Sequence, residues 1–426
     1  MKSANKTVAQ RLGIPLSRRR EVGSAGMGGL PPTSQRVGVR EAFLVVFLLS
    51  LSGCASVQPR GTGDLGLVVE RGTGAVQVVE TTGKTVLAEV EGLGDLSHAS
   101  AVFSRDERYA YVFGRDGGLT KVDLLSRRVD RRVIQAGNSI GGAISTGGRL
   151  VAAANYTPGG VKFFDAATLA QVAEIPAIGA DGKSSKVVGL VDAPGNRFVF
   201  TLFEAGEIWL VEMKDPTHPK VTKFAGIGRE PYDAIITPDS RWYIAGLFGE
   251  DGLAVLDLWH PERGVKRVLK DYGKGGQKLP VFKMPHLEGW GFVGPYALLP
   301  AVGRHEVLVV DTEKWTLAGK ILVAGQPVFV VGQPGSRRVW VNFAFPDNRT
   351  VQVIDAMEKK VVKTLHPGKA VLHLEFTPRG ENAWVSARDS DKLVVYDTET
   401  FQVLKELPSS SPSGIFFTPR AHRTGW

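Results

Sequence analysis

Residues Leu96–Val133 read LSHASAVFSRDERYAYVFGRDGGLTKVDLLSRRVDRRV. A short apolar run (Ala101–Ser104) meets a polar turn, then a second run (Tyr109–Phe113) and a glycine turn, GRDGG. A third run, LTKVD, closes on an acid, and a fourth follows. Short runs rich in Val, Phe and Tyr, punctuated by Gly and Asp, are strand and turn signals. The third run recurs as AVQVVE ending at Glu80, LTKVD at Asp123, VKFFD at Asp165 and EIWLVE at Glu212. It returns as LAVLD at Asp257, VLVVD at Asp311, VQVID at Asp355 and LVVYD at Asp397. Successive acids lie 42 to 54 residues apart, the period of a four-stranded propeller blade. The pattern predicts an all-β chain folded as an eight-bladed β-propeller.

The two ends of the repeat complete each other. The first unit begins with its second strand, Leu67–Glu70, and the last is an inner strand alone, Gly414–Thr418. Pairing of these N- and C-terminal strands fills one blade and closes the ring, which leaves no sheet edge free.

The chain has 426 residues, 43% hydrophobic and 22% charged, which excludes wholesale disorder. Its net charge of +9 is concentrated at the front: residues 1–53 carry eight basic and two acidic side chains. Downstream, 44 basic side chains face 41 acidic ones. The folded part lacks the basic excess of a nucleic-acid reader, so no nucleic-acid partner is expected. The single cysteine, Cys54, excludes an internal disulfide and any CxxCH haem attachment, so no covalently attached haem is expected.

The apolar run AFLVVFLLSL (42–51) is too short to cross a bilayer. It follows Arg36 and Arg40 and ends in Leu51-Ser52-Gly53-Cys54, the layout of a secretory signal. With cysteine at the cut it resembles a bacterial lipobox, which implies cleavage before Cys54 and acylation of its thiol. Residues 1–53 are therefore read as a lipoprotein signal peptide, with Met27 as an alternative start. Residues 54–64 are read as a lipid-anchored linker, and 65–426 as the propeller. A periplasmic domain tethered to the membrane through Cys54 is the expectation.

In a propeller, the loops that lead into the inner strands and the turns between second and third strands gather at one mouth of the channel. That mouth collects His98 (LSHAS), Arg71 (ERGTG), Arg115 (GRDGG), Asn155 and Tyr156 (NYTPGG), Tyr232 (REPYD) and His286 (KMPHLEG), with Arg105 close by in sequence. Guanidinium forks bind carboxylates and aromatic rings cover apolar planes, so the set suits a flat anionic ligand. For each arginine a solvated turn is the competing reading, and for His98 a satisfied loop histidine. His305 and His373 stand undecided. Gly61–Gly66 matches GxGxxG but has no strand before it and no helix after it, so it is not a dinucleotide site.

The runs ERGTGAVQVVE, SHASAVFSRDERYAYVFGRDGGLTKVDL, AANYTPGGVKFFDAATL, VGLVDAPGNRF and VNFAFPDN carry a resemblance over nearly the whole folded part. From Leu67 onward the chain resembles the haem d1 domain of dissimilatory nitrite reductase and, more closely, the NirF family of haem d1 biosynthesis proteins. The resemblance implies a propeller that holds haem d1, or its dihydro-haem d1 precursor, over the channel. Arg71, Arg105 and Arg115 fall where the reductase sets arginines against the macrocycle's carboxylates, and His286 matches one of its two distal histidines. The reductase's proximal iron ligand falls at Val102, which cannot bind iron, and its other distal histidine falls at Tyr232. Nitrite reduction is therefore not expected.

The resemblance implies either an oxidoreductase-like late modification of the tetrapyrrole, or a non-catalytic carrier that delivers the cofactor to nitrite reductase. His98 is the candidate general base or a weak iron ligand, with His286 the other imidazole within the ligand's reach. Asp192 is a candidate orienting or proton-relay group, with a turn cap as its competing reading. Other haem d1 assembly proteins and nitrite reductase are the implied partners.

Overall fold

The computed structural model describes residues 60–272 and 290–425. The leader, Met27, Cys54 and His286 lie outside the described residues. Eight four-stranded antiparallel sheets follow one another as blades. Seven are built from four consecutive strands, as in Ser100–Phe103, Tyr109–Phe113, Gly118–Asp123 and Arg128–Ile134. The eighth joins the chain's ends: Pro412–Phe417 pairs with Leu65–Glu70, which continues into Ala75–Glu80 and Thr85–Val90. Gly66 faces Phe417, Leu67 faces Phe416 and Val68 faces Ile415 in this closing ladder.

The eight acids end the third strand of their blades, and their chemistry explains the period. In all six aspartates, Oδ1 accepts the backbone N–H groups two and three residues on; for Asp397 these are Glu399 at 3.0 Å and Thr400 at 2.8 Å. A carboxylate that satisfies consecutive donors turns the chain toward the outer strand. The turn then passes through a left-handed residue at Arg127, Leu169, Trp315, Lys359 and Phe401.

Third strands are buried almost throughout, whereas outer strands expose most of their residues. Each blade therefore hides its middle against its neighbours. Phe163 meets Phe198 edge-on at 5.2 Å between successive blades, and Trp340 meets Phe376 at 5.6 Å. The closing blade uses the same device, with Trp384 against Phe417 at 5.6 Å. Such edge-to-face pairs add to the burial of large rings.

The closing strand ends one residue earlier than the sequence pattern predicts. Thr418 begins a short 3-10 turn, Thr418–His422, and its hydroxyl donates to the carbonyls of Thr62 and Leu65 at 2.7 and 3.0 Å. That side-chain bonding caps the ladder and sends the chain inward.

Candidate functional site

The inner strands begin at one mouth of the channel, here called the upper, and end at the lower. A cavity of about 240 Å³ opens at the upper mouth, lined by Arg71, Ser97, His98, Tyr232, Phe329, His373 and Phe416 among others.

His98 sits on the loop before Ser100–Phe103. Asp95 shapes that loop: its Oδ1 accepts the Ser97 N–H at 2.8 Å. Hydrogen bonds from the Ser97 hydroxyl and N–H, then the fields of Arg115 and Arg71, hold the Asp95 carboxyl below the usual carboxylate range. The loop is thus an ionised acid beside two guanidiniums, with His98 three residues on.

Arg71 follows Leu65–Glu70, and its N–H donates to the Ser411 carbonyl at 3.3 Å. Ring closure itself therefore places it. Arg71 is half-buried and stands near Arg388 and Arg115; burial and these cations work against its charge, while Asp95 and Asp389 support it. Arg115 is exposed, on the turn after Tyr109–Phe113, with its N–H donating to the Asp95 carbonyl at 2.8 Å. Neither guanidinium forms an ion pair among the described residues, whereas Arg388 is held by Asp389. Two cations of this kind suit a carboxylate brought by a ligand.

An aromatic wall stands on another arc of the mouth. The hydroxyls of Tyr156 and Tyr232 lie 3.2 Å apart, and Tyr232 meets Phe203 edge-on at 6.1 Å. Val188 and Phe248 pack behind them. A second wall runs through Phe329, His373 and Phe416, with centroid distances of 5.1 and 5.6 Å. The mouth thus combines flat apolar surfaces, cations and imidazoles.

Asn155, read at this mouth, Arg105, read close by it, and the relay candidate Asp192 lie elsewhere. Arg105 follows the inner strand instead of preceding it, and so sits at the lower mouth. Its guanidinium donates to the carbonyls of Ala421, Ser145 and Ile144 and pairs with Asp192 at 3.5 Å. Asp192, the penultimate residue of Val187–Ala193, is buried beside it; its Oδ1 accepts the Gly425 N–H at 2.8 Å. The structure therefore separates Asp192 from His98 by the length of the inner strands. Asn155 is buried in a closed amide pair, at 2.8 and 2.9 Å, with Gln135 of the segment that connects the preceding blade to its own. The alternation of strand residues turns it away from the channel.

The structure decides His373: it stands in the wall with Phe329 and Phe416. The signal was present: VLHLEF is an inner strand, and its third residue shares a channel-facing side with its first or its neighbours according to the local bulge between Val371 and Leu374. Without that irregularity, the facing of His373 is not deducible.

The sequence pattern of the family described as "Cytochrome D1 heme domain" matches residues 60–421. Protein NirF of Stutzerimonas stutzeri is 58% identical over 91% of this chain and 100% of its own length. This chain belongs to the NirF family. Protein NirF of Pseudomonas aeruginosa is 60% identical over 89% of this chain and 98% of its own. The solved structure of dihydro-heme d1 dehydrogenase NirN in complex with DHE superposes with a TM-score of 0.75 at 28% identity, covering 86% of this chain and 78% of that one. The family resemblance drawn from the repeat and its motifs is therefore correct, as is the propeller.

Proposed function

We propose that the chain works in haem d1 biosynthesis by binding haem d1, or its dihydro precursor, across the upper mouth and taking part in a late modification of the tetrapyrrole. One observation carries this reading: His98 shares the channel mouth with two guanidiniums that no carboxylate of the described chain pairs, in a member of the NirF family. The similarity to a dihydro-heme d1 dehydrogenase structure adds support. Arg71 and Arg115 hold ring carboxylates, and the tyrosine wall covers one side of the ring. The structure's donor set fits such a ligand.

In the catalytic form of the reading, a saturated side chain is dehydrogenated. One carbon loses a proton to His98, the neighbouring carbon gives up a hydride equivalent, and a C=C bond forms. The hydride equivalent departs as a proton to solvent and two electrons, which pass one at a time to an external one-electron acceptor such as a partner cytochrome. Because Asp192 does not stand beside His98, a second reading as a carrier is retained, in which His98 only contacts the ligand. His98→Ala separates them. Haem d1 output lost with precursor binding kept supports the base; unchanged output rules it out.

The leader adds a location. Acylation of Cys54 would tether the propeller in the periplasm, where haem d1 assembly proteins and nitrite reductase are its partners. Cys54→Ser should release the protein from membranes into the soluble periplasmic fraction, and retention on membranes would refute the anchor.

A further inference from the structure

The geometry points to His373 as a ligand-positioning residue locked in one tautomer: a hydrogen-bond donor from Nε2 to an oxygen on the edge of the macrocycle, and not an iron ligand. The inference rests on the reading of the upper mouth as a tetrapyrrole site.

Three observations fix the ring. His373 lines the same cavity as His98. Its Nδ1 accepts the backbone N–H of Ile415, across the blade boundary, at 3.2 Å. Its ring is held edge-on by Phe329 at 5.1 Å and tilted against Phe416 at 5.6 Å. The backbone agrees, since the His373 N–H donates to Ser386 Oγ at 2.9 Å and that hydroxyl donates back to the His373 carbonyl at 3.2 Å.

The tautomer follows from the donor at Nδ1. A neutral imidazole carries one proton, and a nitrogen that accepts an N–H does not hold it. The proton is therefore on Nε2. Iron binding through Nε2 would need the proton moved to Nδ1, where it would face the Ile415 N–H. Iron binding through Nδ1 would need the same lone pair that Ile415 occupies. Either route costs the bond that joins the inner strands of two blades. The Ile415 N–H thus assigns His373 the role of donor through Nε2, distinct from the base role proposed for His98 on the loop before Ser100–Phe103.

The ligand class follows. An Nε2–H donor at the wall selects macrocycles that present a carboxylate or ring carbonyl oxygen on that edge. A hydrogen bond to a charged acceptor supports a change of roughly tenfold or more in affinity.

The test is an absorbance titration of the whole soluble protein with haem d1 and with its metal-free form, using wild type, His373→Phe and His373→Gln. Phenylalanine keeps a flat ring between Phe329 and Phe416 but cannot donate; glutamine retains a donor. The expected result is roughly tenfold weaker binding of both forms by the phenylalanine variant, unshifted bands for its iron complex, and partial recovery in the glutamine variant. Long-range nitrogen–proton spectra of the wild type should show the proton of His373 on Nε2. Weakening confined to the iron form, or shifted bands, would mean ligation and overturn the inference. Unchanged affinity for both forms would overturn it as well. Wild type that binds neither form would instead refute the underlying reading of the mouth. Thermal unfolding of both variants at the wild-type midpoint establishes that they fold.

Discussion

The backbone N–H of Gly425 donates to Oδ1 of Asp192 at 2.8 Å, so the segment after the closing strand is held by an inner strand three blades further round. Arg105 ties the same segment at Ala421 and pairs with Asp192. The Thr418–Gly425 stretch thereby spans the lower mouth. The upper mouth holds the candidate site, and the lower one is a structural clasp.

Asp192 makes that clasp sensitive to pH. Burial pushes its carboxyl up to about 6 from 3.8, against the opposing help of the Gly425 N–H, Arg105 and Thr146. A carboxyl with a raised folded-state value favours folding when protonated. Its contribution is present below the unfolded value and is lost as the pH rises through about 6. The stability of wild type minus that of Asp192→Asn should therefore fall by roughly 2 kcal/mol between pH 4 and pH 7. Urea unfolding of both proteins across that range measures it. A difference that rises with pH would mean the Arg105 pairing outweighs burial.

Gly66 is the tight point of ring closure. A Cβ there would meet the Phe417 ring at 2.4 Å and the Phe416 carbonyl at 2.9 Å. Carbonyls of a paired strand cannot retreat as a side-chain tip can, so Gly66→Ala should cost about 1–3 kcal/mol by overpacking. The same change at Gly61, which has nothing within 4 Å, should leave the unfolding midpoint unchanged. Equal midpoints for the two variants would show that the Gly66 ladder is not the seam of the ring.

The closure is readable because the sequence carries three strands of a blade at its front and one at its end, and the acids are readable because each aspartate performs the same turn. Side-chain facing at the channel was harder. Inner strands carry bulges, as between Val371 and Leu374, Val188 and Val191, and Pro231 and Ala234, and a bulge breaks the alternation on which facing is deduced. Arg105 shows a second limit: proximity in sequence to His98 hid the fact that a strand carries it to the other mouth. Asn155 shows a third, since its amide partner Gln135 lies on a connecting segment with no pattern of its own.

Arg71 and Arg115 should not contribute equally to ligand binding. Arg71 is half-buried and placed by the closing strand, whereas Arg115 is exposed and screened by salt. Arg71→Gln should weaken haem d1 binding by about tenfold at moderate salt, and Arg115→Gln by a few-fold at most, on the scale of exposed charge contacts. Raising the salt concentration should erase the Arg115 effect before the Arg71 effect. Titrations at two ionic strengths decide it; a larger loss at Arg115 would place the ligand's carboxylates further out on the rim.

Arg420 and Glu375 form the buried ion pair of the lower mouth. Arg420 donates from Nε and Nη2 to the two carboxylate oxygens at 3.0 and 2.7 Å, with both side chains under 10% exposed, and its guanidinium lies over the Phe416 ring at 5.2 Å. Removing one partner leaves the other charge buried without its counter-ion, at about 3–5 kcal/mol. Replacing both with apolar residues removes the desolvation cost together with the attraction. Glu375→Gln should therefore lower stability by several kcal/mol, while Glu375→Leu with Arg420→Met should recover most of the loss. Because Phe416 belongs to the same wall as His373, the single variant should also weaken ligand binding at the upper mouth and the double variant should restore it. Denaturant unfolding paired with haem d1 titration separates the two effects: stability that recovers without affinity would mean that the lower clasp and the upper wall are independent.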